Sequence, residues 1–467
     1  TSPGTRLLMQ LVERTGLVTV EYQAGSLFGD LSLAQFGIDA GAVSLRFEQV
    51  ESRLDPGCFW ASTFCLDTLH AESVTVDIVD QDKPVEAAGG SASVDEMLVI
   101  PYAYALPDVR LQQLTVNWPG GRWQQQGLHA QLEITGSKVA ILHAEAEASE
   151  LQLTPEPQAE PAYTGFEPPP IFLPLEVLVE HLVLQQPKLV LADSQYVLRS
   201  LVLTGSWRGS TLQLTELSAV AEGAGAIAAS GSLVFEQQWP LQVLADVMLD
   251  EELVQPQLQG RRLQLQLGGD LQALQVTLES AGDPDITVAG EVSVVTPGLP
   301  YTGDASLGWP EQTRLGEIVP LAEPLAGLFL ASPLKAAVRG NLEEQNIDLS
   351  GQFSGQGYAA LALSLQARLQ SPKLVIESLE LVDEGSDSSL QASGELSLGM
   401  PWSLTASARS DGIYVPPVFA RDPGRLSGEI SVLASGDGDV WRLELPAVNL
   451  QGTLNGLPAE VQGYAGI

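Results

Sequence analysis

The sequence predicts an all-β fold, and three observations support that prediction. Apolar and polar residues alternate with a period of two along most of the chain, most clearly in Leu263–Leu267, where every second residue is Leu. The chain contains 45 Gly and 30 Pro, two residue types that helices avoid. Turn sequences such as Asn-Gly, Asp-Gly and Asp-Pro recur at short intervals. Each predicted strand therefore has one apolar face and one more polar face.

Composition narrows the functional classes. The 467 residues include 22 Lys and Arg against 58 Asp and Glu, a net charge of −36 that repels phosphate backbones and excludes nucleic acid as a partner. Docking onto an anionic membrane through a basic patch is disfavoured for the same reason. Because 45 % of the residues are hydrophobic and only 17 % are charged, the chain can bury enough apolar surface to fold.

No residue pattern indicates an enzyme, a cofactor or a metal site. The four His have neither metal-ligand spacing nor the context of a catalytic nucleophile, so they are expected on strand surfaces. Acidic pairs such as Glu251/Glu252 are expected by chance in a chain with 58 acidic residues. Two Cys are too few for a zinc or iron–sulfur centre. No stretch reaches the roughly 20 clean apolar residues that a transmembrane helix needs.

Internal repeats suggest how the strands are organised. Similar phrases are headed by Gly231, Gly290, Gly340 and Gly394, which are 59, 50 and 54 residues apart. Repeats of this size without a globular boundary between them predict one sheet that grows by stacking strands. Ordinary meanders in a β-sandwich are the alternative.

Four segments follow from the patterning. Residues 1–15 are expected to contain a short amphipathic helix, with Leu7, Leu8, Leu11 and Val12 on one face. The absence of Met at position 1 suggests that a preceding segment is missing. Residues 16–154 form the first sheet region, 155–172 a Pro-rich excursion, and 173–467 the continuing sheet, with a helical insertion near 309–333.

Cys58 and Cys65 are seven positions apart. In a reducing compartment they would be two buried thiols, whereas in an oxidising compartment their spacing permits a short disulfide-closed loop. The sequence leaves both possibilities open.

Several phrases resemble the periplasmic N-terminal part of the TamB family, the inner-membrane subunit of the translocation and assembly module and a relative of AsmA-like proteins. Their order and spacing carry the likeness more than any single motif. The phrases are Gly4–Leu8, Val20–Tyr22, Gly25–Leu33, Val43–Val50, Leu66–Val76, Phe172–Leu175, Gly424–Gly428 and Leu450–Pro458.

The resemblance implies an elongated, curled sheet, an open half-pipe whose apolar inner face carries phospholipid acyl chains between the inner and outer membranes and which is linked to outer-membrane protein assembly. It also implies a periplasmic location, a missing N-terminal anchor in the inner membrane, and an outer-membrane barrel partner similar to TamA that binds a missing C-terminal part. The alternative function is a scaffold whose sheet edge templates outer-membrane strands. A carbohydrate-active β-helix is a weaker third reading, because clustered acids and stacking aromatics are lacking.

The lining of the expected groove is assigned from strand alternation. If the faces merge into a groove, these side chains contact acyl chains; otherwise they are ordinary core residues packed on protein. The assigned residues are Leu182, Leu184, Leu189, Leu191, Leu201, Leu203, Leu212, Leu214, Leu263, Leu265, Leu267, Leu361, Leu363, Leu365, Leu374 and Ile376.

Overall fold

The protein forms two compact units. A computed structural model describes residues 4–5, 18–39, 43–78, 97–153, 163–191, 194–221, 225–249, 260–280, 282, 284–310, 313–318, 327–356, 358–386, 388–397, 401–415, 424–437 and 440–466. Unit 1 comprises residues 1–161 and 168–261, and unit 2 comprises residues 162–167 and 262–467. Nearly all the described residues are in strands or the short turns between them, so the prediction of an all-β fold is confirmed.

Unit 1 contains fourteen strands among its described residues. They are β1 (Val18–Gly25), β2 (Asp30–Asp39), β3 (Val43–Asp55), β4 (Thr63–Ile78), β5 (Ile100–Trp118), β6 (Gly121–Gly136), β7 (Lys138–Ala146), β8 (Ala148–Leu153), β9 (Leu173–Gln185), β10 (Pro187–Leu191), β11 (Ser194–Gly209), β12 (Thr211–Ala221), β13 (Gly225–Val234) and β14 (Leu241–Leu249).

The sheet of unit 1 is mostly antiparallel, with three parallel pairs. Strands β1 to β4 pair antiparallel in chain order, as do β11 to β14. Between them, β4 pairs parallel with β5, β7 with β9, and β8 with β10. Strand β6 pairs with β5 on one side and with both β7 and β8 on the other, and β11 pairs with β9 and β10. The parallel pairs need longer connections than hairpins do.

Unit 2 contains fourteen strands among its described residues. They are β15 (Arg262–Gly269), β16 (Leu274–Ser280), β17 (Asp285–Val292), β18 (Tyr301–Gly308), β19 (Phe329–Leu330), β20 (Leu334–Gly340), β21 (Glu344–Gly355), β22 (Tyr358–Gln370), β23 (Lys373–Asp383), β24 (Ser388–Ser397), β25 (Trp402–Val415), β26 (Gly424–Asp437), β27 (Val440–Leu454) and β28 (Leu457–Gly466).

Every strand pair described within unit 2 is antiparallel. Strand β18 pairs with β20, and both β19 and β20 pair with β21, while the other strands pair with their neighbours in the chain. The turn between β27 and β28 shows why the chain reverses so tightly. Asn455 and Gly456 both have positive φ, 50° and 77°, the combination that a two-residue hairpin turn requires and that Asn-Gly adopts readily.

Helical structure is confined to short pieces in the described part of the chain. A 3₁₀ turn spans Pro56–Ala61, and one helical turn spans Leu315–Ile318 inside the expected insertion. Of the helix expected in residues 1–15, only Gly4 and Thr5 are described, and both are helical. Residues 163–172 contain no strand, whereas the preceding part of the Pro-rich segment, 155–162, lies outside the described residues. No helix among the described residues has the length and apolarity to cross a membrane.

The repeat glycines allow neighbouring strands to approach closely. Gly231 lies opposite Val243 of the next strand, and a Cβ atom added to it would stand 2.2 Å from the carbonyl oxygen of Gln242. At Gly394 the same test gives 2.6 Å to the carbonyl oxygen of Thr405. Any larger residue would push the two backbones apart, which explains why Gly recurs in these phrases.

Three buried clusters stabilise the sheets. In unit 1, one cluster contains Leu33, Val50, Ala71 and Val74, and a second contains Leu106, Val109, Ala130 and Ala144. In unit 2, the segment before β20 packs Leu328 and Leu330 against Phe353 and Leu361, with Trp309 and Tyr358 beside them. The cluster of unit 2 therefore covers one part of its sheet with protein.

Truncation of this cover should destabilise unit 2. Leu330 is 3 % exposed, so Leu330→Ala should lower the free energy of unfolding by about 2–5 kcal/mol, because it removes buried apolar surface and leaves a cavity. The matched control Leu342→Ala, at a site that is 52 % exposed, should change it by less than about 0.5 kcal/mol. Chemical denaturation measures both, and an equal effect of the two variants would contradict this account.

Candidate functional site

The strand register of unit 2 aligns apolar side chains into a row across the sheet. Residues that pair directly on neighbouring strands share a face, so the row can be followed from partner to partner. It runs through Leu265, Leu278, Val288, Ala305, Ala336, Leu349, Leu365, Leu379, Ala392, Ala408, Ile430 and Val448. The face that carries this row is called the apolar face of unit 2.

The apolar row of unit 2 is only partly buried. All twelve of its side chains retain intermediate exposure, so no protein layer seals the row. The opposite face is polar in the same register, since Gln266 pairs with Thr277 and Asp348 pairs with Gln366. One side of this sheet thus presents accessible hydrocarbon, and the other presents hydrogen-bonding groups.

Unit 1 has a corresponding row of eight apolar side chains, fewer than the twelve in unit 2. It runs through Val109, Ala130, Ala144, Leu182, Leu203, Leu217, Ala229 and Ala245. Ala130 and Ala144 are each 4 % exposed, because the larger residues of the second cluster cover them, and Ala245 is 3 % exposed. The three central Leu residues remain partly exposed.

The register relates most of the predicted lining residues to these apolar rows. Leu182 pairs with Leu203 and Leu184 with Leu201. Each of the others pairs with an apolar residue or Gly on a neighbouring strand. These pairs are Leu189 with Leu151, Leu191 with Leu153, Leu212 with Trp207, Leu214 with Gly205, Leu267 with Val276, Leu363 with Leu381, Leu374 with Leu396 and Ile376 with Ala367. Leu263 alternates with exposed Gln264 and precedes Leu265 by two residues, so it shares the face of Leu265.

Burial distinguishes members of the predicted set. Leu361 is 5 % exposed and belongs to the cluster under the segment before β20, so it packs on protein. Leu363 lies against the same cluster, and Leu182 lies against the second cluster of unit 1. Leu191 is 37 % exposed, the other extreme. Leu363, Leu182 and the rest of the set are partly exposed, which an acyl-chain surface requires.

The sequence-based assignment missed several members of the row. Leu278, Val288, Leu349 and Leu379 continue the line through Leu265 and Leu365. The period-two pattern of Leu274, Val276 and Leu278 could have identified the first of these. The Ala members could not be distinguished from ordinary small strand residues.

Two of the four His residues, His70 and His129, contact the same carboxylate in unit 1. Asp108 accepts contacts from the Nε2 atoms of His70 and His129, each 3.2 Å away, and from Nε of Arg110 at 2.8 Å. Partial burial acts to raise the pKa of Asp108, but the hydrogen bonds from Arg110 and His70 outweigh it and lower that pKa. Among the described residues, no group of three His, Cys, Asp or Glu is arranged to hold a metal ion.

Cys58 and Cys65 form a disulfide whose Cα atoms are 5.8 Å apart. Cys65, near the start of β4, pairs with Asp55, the last residue of β3. The disulfide therefore closes the connection that contains the 3₁₀ turn between these two strands. Exposed at this turn is Trp60, which is 95 % accessible.

Comparison with known proteins identifies the family. The model of the TamB N-terminal domain matches residues 1–466, which is almost the entire chain. The chain belongs to the TamB family. A curated relative, the translocation and assembly module subunit TamB of Haemophilus influenzae, is 21 % identical over 509 residues. That alignment covers 99 % of this chain and 37 % of the relative, so this TamB-family chain spans little more than a third of the relative's length. No solved structure matches it.

The Asp108 cluster should give unit 1 a specific acid sensitivity. Because the pKa of folded Asp108 is below the unfolded value of about 3.9, its ion pairs stabilise the fold above that pH and are lost as the pH falls through the folded pKa. Asp108→Asn should therefore lower the free energy of unfolding at pH 5 by up to about 1 kcal/mol. The difference from wild type should shrink below pH 4.

The matched control is Glu72→Gln, which removes one negative charge from an exposed site of β4. Denaturation at a series of pH values measures both variants. A difference between wild type and Asp108→Asn that grows on acidification would contradict the assigned role of Asp108.

Proposed function

We propose that this chain is part of a periplasmic lipid conduit, in which the apolar faces of its sheets carry phospholipid acyl chains between the inner and outer membranes. The observation that supports this function best is the row of twelve partly exposed apolar side chains in unit 2. A closed core would bury such a row, and a water-facing sheet would not keep it uninterrupted across so many strands.

Hydrocarbon in such a row gains free energy without a specific binding pocket. Each methylene group removed from water contributes about 0.8 kcal/mol, so an acyl chain of ordinary length gains enough free energy on the row to leave water. Leu265, Leu349 and Leu365 offer similar aliphatic surfaces along the row. Because these steps are alike, no position holds the lipid much more tightly than the next, and movement along the row is favoured.

The small members of the row leave room for the cargo. Ala305 and Ala336 are consecutive partners, and Ala392 and Ala408 form a second such pair. Ala side chains extend only a short distance from the sheet, so acyl chains have space beside the neighbouring Leu and Val side chains. Aromatic residues are only 6 % of the chain, which is consistent with a smooth aliphatic lining.

Family membership supplies the cellular setting of the proposal. The name of the relative from Haemophilus influenzae refers to a translocation and assembly module, so we place this chain in the Gram-negative envelope, linked to outer-membrane protein assembly. Its partners would be the inner membrane, reached through an N-terminal anchor, and a TamA-like outer-membrane barrel, reached through a C-terminal part. The disulfide between Cys58 and Cys65 is compatible with the oxidising periplasm.

A scaffold that templates outer-membrane strands is the second candidate. It is favoured by β1, which pairs only with β2 among the described residues and so offers one edge for strand addition. Crosslinks from β1 to a barrel precursor would support this function. They would be compatible with lipid transport by the apolar faces.

Lipid retention tests the conduit. Lipids extracted from the purified chain are quantified by mass spectrometry for wild type, Leu265→Asp and the matched control Gln266→Asp, whose side chain is exposed on the polar face. A charge at position 265 obstructs hydrocarbon but can still reach water, so Leu265→Asp should keep the wild-type melting temperature and lose at least half of the lipid. Gln266→Asp should change neither quantity.

A second comparison distinguishes an open surface from a closed core. Leu361→Asp places a charge in the sealed cluster and should unfold unit 2, because an unpaired buried charge is not tolerated. If Leu265→Asp unfolds the protein as Leu361→Asp does, Leu265 is a core residue. If wild type carries no lipid, or Leu265→Asp carries the wild-type amount, the conduit assignment is wrong.

A further inference from the structure

Two segments at one end of the strands of unit 1 contain no charged residue. Residues 56–66 comprise the connection from β3 to β4 and the first residues of β4. Residues 97–107 comprise the three residues before β5 and the first part of that strand. Together they hold 22 residues, and the average of 17 % charged residues would place about four charges there. Both segments are uncharged over eleven residues in a chain with a net charge of −36, and each is bounded by acidic residues, Asp55 and Asp67 for the first and Glu96 and Asp108 for the second.

The fold places these two segments side by side. Strands β4 and β5 are parallel, and Phe64 pairs with Tyr104 while Cys65 pairs with Ala105. The ring of Phe64 stacks on Tyr104 at 5.4 Å and meets the edge of Tyr102 at 5.2 Å. Both segments therefore belong to one surface, called here the aromatic tip and comprising residues 56–66 and 97–107.

The aromatic tip exposes large apolar side chains to water. Trp60 is 95 % exposed, Val99 is 68 %, Leu98 is 55 % and Tyr102 is 52 %. Elsewhere in unit 1, Phe28 is exposed in the turn between β1 and β2, and the other exposed large apolar residues lie along strands. Four such residues within two adjacent neutral segments mark a surface for interaction.

The disulfide fixes the most exposed of these residues in place. Trp60 lies inside the loop that Cys58 and Cys65 close, on the 3₁₀ turn Pro56–Ala61. A free loop could fold the indole back onto the sheet and bury it. The covalent closure limits that rearrangement and favours the exposed position of Trp60.

We propose that the aromatic tip docks into the headgroup region of a lipid bilayer. Trp and Tyr favour the membrane–water interface because each combines an apolar ring with a polar group, and Leu98 and Val99 can enter the acyl boundary beneath them. A protein of charge −36 can approach an anionic leaflet most closely where few charges face the leaflet. The two segments of the tip carry none, and the nearest acidic residues, Asp55, Asp67 and Asp108, lie at their ends. This docking concerns the strand ends of unit 1 and does not require that the apolar faces carry lipid.

The charge argument also predicts how docking depends on salt. A basic patch would lose affinity as salt screens its attraction to anionic lipid. The neutral tip should instead bind phosphatidylcholine vesicles equally at 50 and 500 mM NaCl. Binding to vesicles that contain phosphatidylglycerol should rise with salt, because salt screens the repulsion from the rest of the protein.

Flotation of the 467-residue chain with phosphatidylcholine vesicles tests the proposal. Wild type should float with the vesicles, and Trp60→Asp should lower the partition coefficient at least about tenfold, because the indole is lost and a charge is added. The matched control is Tyr196→Asp, since Tyr196 is 55 % exposed at the opposite strand end of the same unit. It should bind within twofold of wild type.

Further variants keep the outcomes distinct. Trp60→Phe should retain most of the binding, and the double variant Cys58→Ser, Cys65→Ser should weaken it, because the turn is no longer fixed. Leu265→Asp should float as wild type does, while Trp60→Asp should retain its co-purified lipid, so docking and the conduit can fail separately. The proposal is wrong if wild type does not float, if Trp60→Asp floats equally well, or if a photocrosslinker at position 60 in cells labels protein and no lipid.

Discussion

Register between neighbouring strands decides which side chains of this protein share a face, and the other properties of its sheets depend on it. Within a strand, Leu265 and Gln266 point to opposite sides of the sheet. Pairing of Leu265 with Leu278 then brings like residues together on the next strand. A slip of one residue would place Gln266 in the row and expose Leu265 on the polar side. The hydrogen-bonded ladder therefore turns local alternation into a continuous apolar surface.

Local irregularities preserve this surface where the alternation of the sequence breaks. Ala71 and Val74 are three positions apart, yet both are 4 % exposed and belong to the same cluster; on the paired strand β3, Gln49 departs from extended backbone with a φ of 51°. In unit 2, the register shifts between Ile376 and Leu379, and both residues still pair with small residues of β24. Each irregularity resets which residues face inward, so apolar side chains continue to lie on one side. Fold and candidate function depend on the same adjustment.

The sequence was sufficient for the fold class and for the clearest strands, and it failed where the required information is not local. Leu263, Leu265 and Leu267 alternate with polar residues, so their shared face could be read directly. The parallel pairing of β4 with β5 depends on a long connection that leaves no period in the sequence. The sealed position of Leu361 could not be predicted either, because a segment some thirty residues earlier covers it. The open or closed character of each face is a property of packing between distant segments.

The central claim is that the apolar face of unit 2 contacts lipid and the polar face does not. A photocrosslinking scan in cells along one strand tests it most directly, with the crosslinker placed in turn at Leu363, Ser364, Leu365 and Gln366 of β22. The account predicts lipid adducts at positions 363 and 365 and none at 364 and 366. Adducts of equal yield at all four positions, or none at 365 in a folded protein, would contradict it.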